Sequence, residues 1–210
     1  MHQFRTLLDK EPYLFTSGVG TPLDAQIAER VGLKCVYLSG YTLAMTQGYP
    51  DMGFLTMTEV AKAAGMIANA VHIPVIADAD DGYGNALSTM RTVREFIQAG
   101  VAGLHLEDQK YPKRCGHLAG KQVIPLDEAV GKFQAAIDTR DRILPEFFLI
   151  ARTDALGAVG GSLQHAIERG CVYADLGMDS VWCEFTSPDR GPVVEFAQAI
   201  RRAHPQLPLS

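Results

Sequence analysis

Short apolar runs bounded by turn residues recur along the chain, and longer segments with helical spacing separate them. Runs this short and this apolar are typical of buried parallel strands. The predicted strands are 13–18, 35–40, 74–80, 103–108, 147–154 and 180–185. The clearest predicted helices between them are 22–32, 57–71, 86–100 and 162–177. Strands and helices that alternate in this way predict a parallel α/β fold.

Most of the predicted strands end in polar or charged residues, in the sequences SG, DAD, ED, RTD and CEF. A TIM-type (β/α)8 barrel gathers such residues at the C-terminal rim of its strands, whereas an open doubly wound sheet binds ligands only near its switch point. Polar ends on successive strands therefore favour the barrel. Six strands can be counted and 207–210 predicts the start of a seventh, while a complete barrel takes eight strands in about 250 residues. We expect residues 1–210 to form a single barrel domain that is truncated after about six strands.

Composition and charge narrow the possible classes of protein. With 210 residues, 47% of them hydrophobic, the chain can bury one substantial core. A net charge of −5 argues against a nucleic-acid partner, and no apolar run is long enough to predict a membrane span or a signal peptide. The four cysteines lack paired spacing, which indicates reduced thiols and a cytoplasmic location. They are Cys35, Cys115, Cys171 and Cys183.

Four carboxylates are predicted to lie at the C-terminal rim. Asp78 and Asp80 share one face of a strand end, because side chains alternate with period two. Glu107 ends the next strand, and Asp51 lies in the loop after the second strand. A single aspartate before a glycine more often shapes a turn or caps a helix. Carboxylates from three consecutive strand ends, with no cysteine or histidine among them, instead predict a site for Mg²⁺, with Mn²⁺ as the alternative.

A lone cysteine lies among cations in the sequence KYPKRCGHLAGK, residues 110–121. Cationic surroundings lower the pKa of a thiol, and the thiolate is its reactive form. A zinc site would require further Cys or His residues at finger-like spacing, and none follows. Cys115 is therefore a candidate catalytic residue, and a solvent-exposed loop cysteine without a function is the alternative.

Four motifs together resemble the isocitrate lyase and phosphoenolpyruvate mutase superfamily. They are DADDGYGN (78–85), LEDQ (106–109), KRCGH (113–117) and ARTDA (151–155). The resemblance runs from about residue 15 to the C-terminus. KRCGH is the most specific motif, because it separates the carbon–carbon lyases of the superfamily from members that lack the cysteine. The resemblance implies a barrel fold, a small di- or tricarboxylate substrate and a homo-oligomer, in that family a tetramer.

The resemblance also implies roles for individual residues. The implied metal ligands are Asp78, Asp80, Glu107 and, less directly, Asp51. The implied catalytic residues are Cys115, His117 and Tyr41. The implied substrate-binding residues are Ser39, Gly40, Tyr41, Gly116, His117, Arg152 and Glu184. Tyr41 is a departure, since isocitrate lyases carry tryptophan at that position.

Lyases of this kind cleave a 2-hydroxy tricarboxylate to glyoxylate or pyruvate plus a dicarboxylate. The departing half leaves as a carbanion, which needs positive charge nearby and then a proton from a positioned acid. We expect Cys115 to be that acid, in a positive field from Lys113, Arg114 and His117 that keeps its pKa within reach. We expect Arg152 to clamp a carboxylate, and an ion pair with one of the rim acids is the alternative.

The motifs favour one substrate without excluding others. CGHLAGK and VWCEF are closer to isocitrate lyase, whereas Tyr41 and the compact spacing from ARTDA to VWCEF are closer to other members. The sequence therefore predicts an isocitrate lyase-like enzyme, with 2-methylisocitrate or another substituted malate as the alternative. A non-catalytic fragment that binds a metal or a dicarboxylate is a third interpretation.

His105 and His165 are assigned to packing. Segment 109–125 is predicted to be a lid that stays open until an anionic substrate arrives.

Overall fold

The computed structural model describes residues 3–210 and contains one sheet of six parallel strands in sequential order. The strands are β1 (Ser17–Val19), β2 (Val36–Leu38), β3 (Val75–Asp78), β4 (Gly103–Glu107), β5 (Phe148–Thr153) and β6 (Ser180–Cys183). Each strand pairs with the next in the parallel sense. Sequential parallel order is that of a (β/α) barrel and not of a doubly wound sheet, which confirms the predicted fold class.

Helices connect the strands and cover the outside of the sheet. They are α1 (Gln3–Lys10), α2 (Pro22–Arg30), α3 (Gly40–Thr46), α4 (Met57–Ala68), α5 (Ala86–Ala99), α6 (Leu126–Ile143), α7 (Leu163–Leu176) and α8 (Gly191–Ala203). The four predicted helices correspond to α2, α4, α5 and α7. Side-chain caps begin several of them, and Thr21 and Thr56 each form a complete capping box. No helix within residues 3–210 is both long and apolar enough to cross a membrane.

Four predicted strands differ from the structure by more than one residue at an end. The third ends at Asp78 and the sixth at Cys183, each two residues before the predicted end. The first is shorter and later than the predicted 13–18, because Tyr13 and Phe15 are exposed and only Ser17–Val19 pairs with β2. The second ends at Leu38, before the predicted Gly40, because the Ser39 hydroxyl accepts a hydrogen bond from a backbone N–H and starts α3 there. The helix cap at Ser39 therefore ends the strand earlier than the apolar run predicts.

The end of the chain lies beside the sixth strand. Leu209 forms an isolated parallel bridge with Val181 of β6, and Ser210 donates its backbone N–H to the Val181 carbonyl. This position agrees with the prediction that 207–210 begins a seventh strand. Within the part of the chain that the structure describes, β1 and β6 are the two edges of the sheet and do not pair with each other.

Apolar side chains form two layers, one on each face of the sheet, because successive residues of a strand point to opposite faces. Outward-facing residues such as Leu149 pack against the helices in the main core. Inward-facing residues such as Ile76, Phe148 and Ile150 form a smaller cluster with Phe4 of α1. The Phe4 ring meets Phe148 edge-on at 5.0 Å. The N-terminal helix thus covers the amino ends of the strands and leaves the carboxyl ends for the site.

Candidate active site

The carboxyl ends of the central strands bring the predicted acidic residues together. In the register of the sheet, Asp78 pairs with His105 and Glu107 pairs with Arg152. All four side chains are at least nine-tenths buried. Buried charges at strand ends require partners, and those partners define the geometry of the site.

Asp78 is held by three groups. Its Oδ2 accepts a hydrogen bond from Gly40 N at 3.0 Å, and its Oδ1 accepts one from Asp80 N at 2.9 Å. His105 Nε2 lies 3.1 Å from the same Oδ1, and its Nδ1 lies 2.9 Å from the Tyr37 hydroxyl. Burial raises the pKa of the Asp78 carboxyl, but His105 and neighbouring cations outweigh this and hold the pKa well below its usual range. Asp78 is therefore a fixed, ionised carboxylate.

The assignment of His105 to packing describes only part of its environment: the buried ring packs against Tyr37 and Trp182, and its nitrogens also lie near the Tyr37 hydroxyl and Asp78. His105 and Glu107 are two residues apart on β4 and so share the face that carries the acids. The two-residue spacing from Glu107 is the sequence feature that could have placed His105 beside the acids. His165, also assigned to packing, is half-buried on α7 and bonded to Arg169.

Lys113 joins two of the predicted metal ligands. Its ammonium lies 2.5 Å from Asp51 Oδ1 and 2.6 Å from Asp80 Oδ1. Burial alone would lower the pKa of Lys113, but the surrounding carboxylates raise it well above its usual value. Burial and the charge of Asp78 raise the pKa of Asp80 to about 7. Lys113 is therefore a structural counter-ion as well as a source of positive field.

Arg152 lies among three carboxylates. Its Nε and Nη2 donate to the two oxygens of Asp154 at 2.9 Å and 3.0 Å, a bidentate pair. Glu107 Oε2 lies 3.5 Å from Nε, and Glu184 Oε2 lies 3.3 Å from Nη2. The guanidinium also stacks 5.0 Å above the Trp182 ring. The structure thus has the ion-paired arrangement that was the alternative for Arg152, and Asp154 is a residue that the sequence reasoning missed.

The surroundings of Cys115 differ from the expectation. Burial raises the pKa of the thiol, and Asp51 raises it further, while the hydrogen bond from the backbone at His117 and the charge of Lys113 only partly oppose them. The expected lowering of this pKa is wrong, because burial and Asp51 outweigh the charge of Lys113, and Arg114 is exposed to solvent.

The segment that carries Cys115, residues 109–125 (the thiol loop), is docked on the rim. The Gln109 side chain bonds both the N–H and the carbonyl of Arg114 at 2.9 Å. Lys121 Nζ donates to the Gly116 carbonyl and to Asp154 Oδ1. The expectation that cation repulsion keeps this loop open is therefore wrong for this structure, because carboxylates from the barrel already pair with Lys113 and Lys121.

Gly116 and His117 lie above Arg152. A Cβ atom at position 116 would lie 2.4 Å from Arg152 Nη2 and 2.7 Å from the Glu184 carboxyl carbon, so only glycine fits. The His117 ring is largely exposed, with Nε2 3.7 Å from Glu184 Oε1. Glu184 therefore links Arg152 to the loop, and the predicted substrate-binding residues of this half of the site are neighbours.

The other half of the predicted substrate-binding site is formed by Ser39, Gly40 and Tyr41. Gly40 N donates to Asp78, whereas the Ser39 hydroxyl caps α3 by accepting from Thr42 N at 3.2 Å. Tyr41 is half-exposed, and Ser39 and Tyr41 make no hydrogen bond or ion pair with the rim acids within residues 3–210. The structure thus places Gly40 directly on the acids and Tyr41 at the edge.

A cavity of about 10 Å³ lies among Gly40, Asp51, Asp78, Asp80 and Tyr83. Its size is that of a single water molecule. This cavity therefore has room for one ion or one water molecule.

The donor set fits a hard divalent cation. Its oxygens are carboxylate oxygens, which Mg²⁺ prefers, and the buried Oε1 of Glu107 has no hydrogen-bond partner in the described chain. The acids are not arranged around a common centre, since no group of three or more His, Cys, Asp or Glu residues in 3–210 has metal-binding geometry. Lys113 occupies the position between Asp51 and Asp80. A cation that bound Asp80 would therefore compete with this ammonium.

Comparison with known proteins identifies the family of the chain. The family model for phosphoenolpyruvate phosphomutase matches residues 4–209. The chain belongs to the phosphoenolpyruvate mutase family.

Relatives within the phosphoenolpyruvate mutase and isocitrate lyase superfamily include several lyases. An isocitrate lyase of Haloferax volcanii is 42% identical over 99% of this chain and 60% of its own length. A 2,3-dimethylmalate lyase of Eubacterium barkeri is 43% identical over 87% of this chain and 62% of its own. A 2-methylisocitrate lyase of Aeropyrum pernix is 38% identical over 97% of this chain and 63% of its own length. The chain thus spans about three fifths of the length of these relatives.

Solved structures of phosphoenolpyruvate mutase-type enzymes share the fold. A phosphoenolpyruvate phosphomutase from Streptomyces platensis subsp. rosaceus superposes with a TM-score of 0.92 at 38% identity, over 99% of this chain and 70% of its own. A phosphonopyruvate hydrolase in complex with oxalate and Mg²⁺ has a TM-score of 0.85 at 29% identity, over 99% of this chain and 70% of its own. These structures are TIM-barrel-type enzymes, which confirms the predicted fold class and family resemblance.

One buried network in this family member was not predicted. Asp108 is fully buried and accepts hydrogen bonds from Thr153, Arg169 and Tyr173 side chains at 2.8, 3.0 and 2.7 Å. It also accepts from the Asp154 backbone N–H at 3.0 Å. Asp108 follows Glu107 in the motif LEDQ, and only the tertiary structure separates the role of one carboxylate from that of the other. The network fixes the strand end that positions Asp154 and, through it, Arg152.

The close approach of α3 to the acids gives a testable prediction. A Cβ atom at position 40 would lie 2.6 Å from Asp78 Oδ2, so Gly40→Ala should displace the Asp78 carboxylate and weaken divalent-cation binding. Gly131→Ala on α6 is the matched control, since no atom lies within 4 Å of its added methyl group. Isothermal titration with Mg²⁺ should distinguish the two. Equal affinity in both variants would contradict this role of Gly40.

Proposed function

We propose that this protein is a magnesium-dependent carbon–carbon lyase that cleaves isocitrate to glyoxylate and succinate. The observation that carries the proposal is the placement of the Cys115 segment beside the acidic rim. Cys115 N donates to the Asp51 carbonyl at 3.0 Å, and Lys113, two residues earlier, bridges Asp51 and Asp80. An acid, a carboxylate cluster and a guanidinium thus meet at one end of the barrel.

Asp78, Asp80 and Glu107 are the residues that would hold Mg²⁺, or Mn²⁺ in its place, with Asp51 behind them. The bound cation would supply Lewis-acid stabilisation of the charge that develops on the substrate oxygen. The relative solved with oxalate and Mg²⁺ supports Mg²⁺ as the cation. Glu107 Oε1, buried and without a partner in the described chain, supports it from the side of this protein.

Cys115 would be the acid that completes cleavage. When the carbon–carbon bond breaks, one fragment keeps the new carbonyl group and the other keeps the electron pair as a carbanion. The thiol gives its proton to that carbanion, and the thiolate takes a proton back in condensation. The raised pKa of Cys115 suits this direction, because it keeps the proton on sulfur until a carbanion arrives.

Arg152 and the thiol loop would hold the dicarboxylate half. The Arg152 guanidinium keeps its charge in a buried setting because Glu107, Asp154 and Glu184 raise its pKa. A substrate carboxylate can replace the weaker contact with Glu184 at 3.3 Å while the bidentate pair with Asp154 stays in place. His117, exposed near Glu184, is placed to donate to the same carboxylate after loop movement. Ser39, Gly40 and Tyr41 would bound the opposite side.

Two other activities have specific support. Relatives named 2-methylisocitrate lyase and 2,3-dimethylmalate lyase are about as similar to this chain as the isocitrate lyase. Tyr41, in place of tryptophan, favours such substituted malates, whereas CGHLAGK and VWCEF favour isocitrate. The third interpretation, a metal- or dicarboxylate-binding protein without turnover, predicts ligand binding with no product.

We also propose that two further strands complete the barrel between β1 and β6. A cavity of about 760 Å³ opens along this seam, lined by apolar residues that include Phe4, Ile150 and Trp182. Within residues 3–210, β1 and β6 do not pair with each other, and the chain end at Leu209 and Ser210 pairs with β6 only at Val181. Closure would complete the truncated barrel domain that the sequence predicts for residues 1–210. We propose in addition that the protein forms a homo-oligomer, a tetramer by family resemblance. A cytoplasmic location is also proposed, and the free cysteines in residues 3–210 support it.

Replacement of a single rim acid tests the proposed metal dependence. Asp80→Ala should weaken Mg²⁺ binding in calorimetry and abolish isocitrate cleavage, because it removes a carboxylate that no neighbour can replace. Asp127→Ala, on the exposed first turn of α6, is the control. Circular dichroism should confirm that both variants are folded. Unchanged Mg²⁺ affinity in a folded Asp80→Ala protein would contradict the assignment.

A further inference from the structure

The turn after β3 holds a tyrosine in an unfavourable backbone conformation. Tyr83 has a φ of +60°, in the left-handed region that a bulky side chain rarely adopts. The Asp81 carboxylate fixes the turn, because its Oδ1 accepts a hydrogen bond from Tyr83 N at 2.9 Å. The Tyr83 ring packs against the main core and lines the small cavity at the rim. The turn therefore returns this ring to the acidic site.

The hydroxyl of Tyr83 has no partner. Its oxygen is buried although part of the ring is exposed, and in the described part of the chain it makes no hydrogen bond. Two other tyrosines use their hydroxyls: that of Tyr37 lies 2.9 Å from His105 Nδ1, and that of Tyr173 donates to a carboxylate at 2.7 Å. A buried hydroxyl that has lost water without a replacement is costly. The Tyr83 hydroxyl therefore requires a partner from outside residues 3–210.

The cavity of about 10 Å³ provides the space for such a partner. Tyr83 lines it together with Gly40, Asp51, Asp78 and Asp80. Burial raises the pKa of Tyr83, and the charges of Asp80 and Asp78 raise it further, so the hydroxyl keeps its proton and can donate it to a hydrogen bond. No direct hydrogen bond joins this hydroxyl to the carboxylates. A donor and its acceptors are thus separated by a space that fits one water molecule.

Asp80 is the carboxylate best placed to complete this bridge. Among the acids that raise the pKa of Tyr83, it has the largest effect. Its Oδ1 is paired with the Lys113 ammonium at 2.6 Å and, beyond this ion pair, accepts no hydrogen bond in the described chain. A carboxylate oxygen can accept from two donors, so one water can bond Asp80 beside the ammonium.

We propose that Tyr83 is a positioning residue for the cation site. One water in this cavity accepts a hydrogen bond from the Tyr83 hydroxyl and donates one to Asp80, and it holds that carboxylate in the orientation that binds a divalent cation. The role in cation binding rests on the proposed function, whereas the water bridge does not. Groups behind a metal ligand fix its orientation, and their loss typically lowers metal affinity by about 10–100-fold.

A high-resolution crystal structure of the unaltered protein, grown without divalent cations, tests the bridge. One ordered water should lie within hydrogen-bond distance of both the Tyr83 hydroxyl and Asp80. Crystals of Tyr83→Phe, which keeps the ring and removes only the hydroxyl, should lack this water. A Tyr83 hydroxyl without a water would overturn the proposal, and so would the same ordered water in Tyr83→Phe.

Isothermal titration with Mg²⁺ tests the consequence for the cation. Tyr83→Phe should bind Mg²⁺ about tenfold or more weakly than the unaltered protein, with an unchanged circular dichroism spectrum. Tyr13→Phe is the matched control, because it removes a hydroxyl from a tyrosine that is 79% exposed and precedes β1. The control should bind Mg²⁺ like the unaltered protein.

Ultraviolet difference spectra recorded during the same titration give a signature that a merely structural role would not produce. Mg²⁺ should perturb the tyrosine absorption of the unaltered protein and of Tyr13→Phe, and the perturbation should be smaller in Tyr83→Phe. Equal Mg²⁺ affinity and equal spectra in a folded Tyr83→Phe protein would overturn the positioning role alone. Absence of Mg²⁺ binding to the unaltered protein would overturn the proposed function, and this role of Tyr83 with it.

Discussion

Cys115→Ser should lower the turnover of the proposed lyase by about 10²–10⁴-fold, which is the usual contribution of general acid–base catalysis. A serine hydroxyl is too weak an acid to protonate the departing carbanion. Substrate binding should survive, because the contacts of Arg152 with Asp154 and of Lys113 with Asp80 do not involve the thiol. Steady-state kinetics with a separate measurement of ligand affinity checks both expectations.

The matched control for this variant is Cys171→Ser. Cys171 is half-buried on α7, and burial raises the pKa of its thiol as it does for Cys115. The control therefore removes a similar thiol from outside the rim and should leave turnover unchanged. Full turnover in Cys115→Ser would show that the loop thiol is not the acid.

Asp108→Ala should be the most destabilising single substitution near the rim. It leaves Arg169 buried without its carboxylate, and breaking a buried pair costs about 3–5 kcal/mol. Tyr173 and Thr153 lose their acceptor as well. Urea denaturation monitored by circular dichroism should show a lower free energy of unfolding, without a change in the steepness of the transition.

Asp138→Ala is the control for this measurement, since Asp138 is exposed on α6 and, within residues 3–210, accepts a side-chain hydrogen bond only from Gln134. Surface substitutions of this kind usually change stability by less than about 0.5 kcal/mol. If Asp108→Ala and Asp138→Ala unfolded at the same urea concentration, the Asp108 network would have no structural role.

The strands of this fold could be predicted because burial on both faces makes them short apolar runs. The run at 103–108 corresponds closely to β4, and the run at 147–154 corresponds closely to β5. Prediction was wrong where local chemistry competes with the run, as at Ser39, whose hydroxyl begins a helix. It was also wrong at β1, where only the last residues of the run pair with a neighbour.

The acidic site could be predicted in outline but not in its pairing. The motifs located Asp78, Asp80 and Glu107 because each was predicted at a strand end; Asp78 and Glu107 end β3 and β4, and Asp80 lies two residues beyond β3. They could not show that Lys113 contacts Asp51, which lies 62 positions away in the chain. The pKa of the Cys115 thiol is raised instead of lowered, because burial and the charge of Asp51 outweigh the charge of Lys113. Sequence neighbours therefore described the wrong electrostatic environment.

Product identification tests the central claim most directly. The purified protein is supplied with Mg²⁺ and, in separate reactions, with isocitrate and 2-methylisocitrate, and the 2-oxo acid released is identified by chromatography against authentic standards. The account predicts glyoxylate and succinate in equal amounts from isocitrate, with slower or no release of pyruvate from 2-methylisocitrate. Preferential release of pyruvate would contradict the proposed substrate, and the absence of carbon–carbon cleavage from either compound would contradict the central claim.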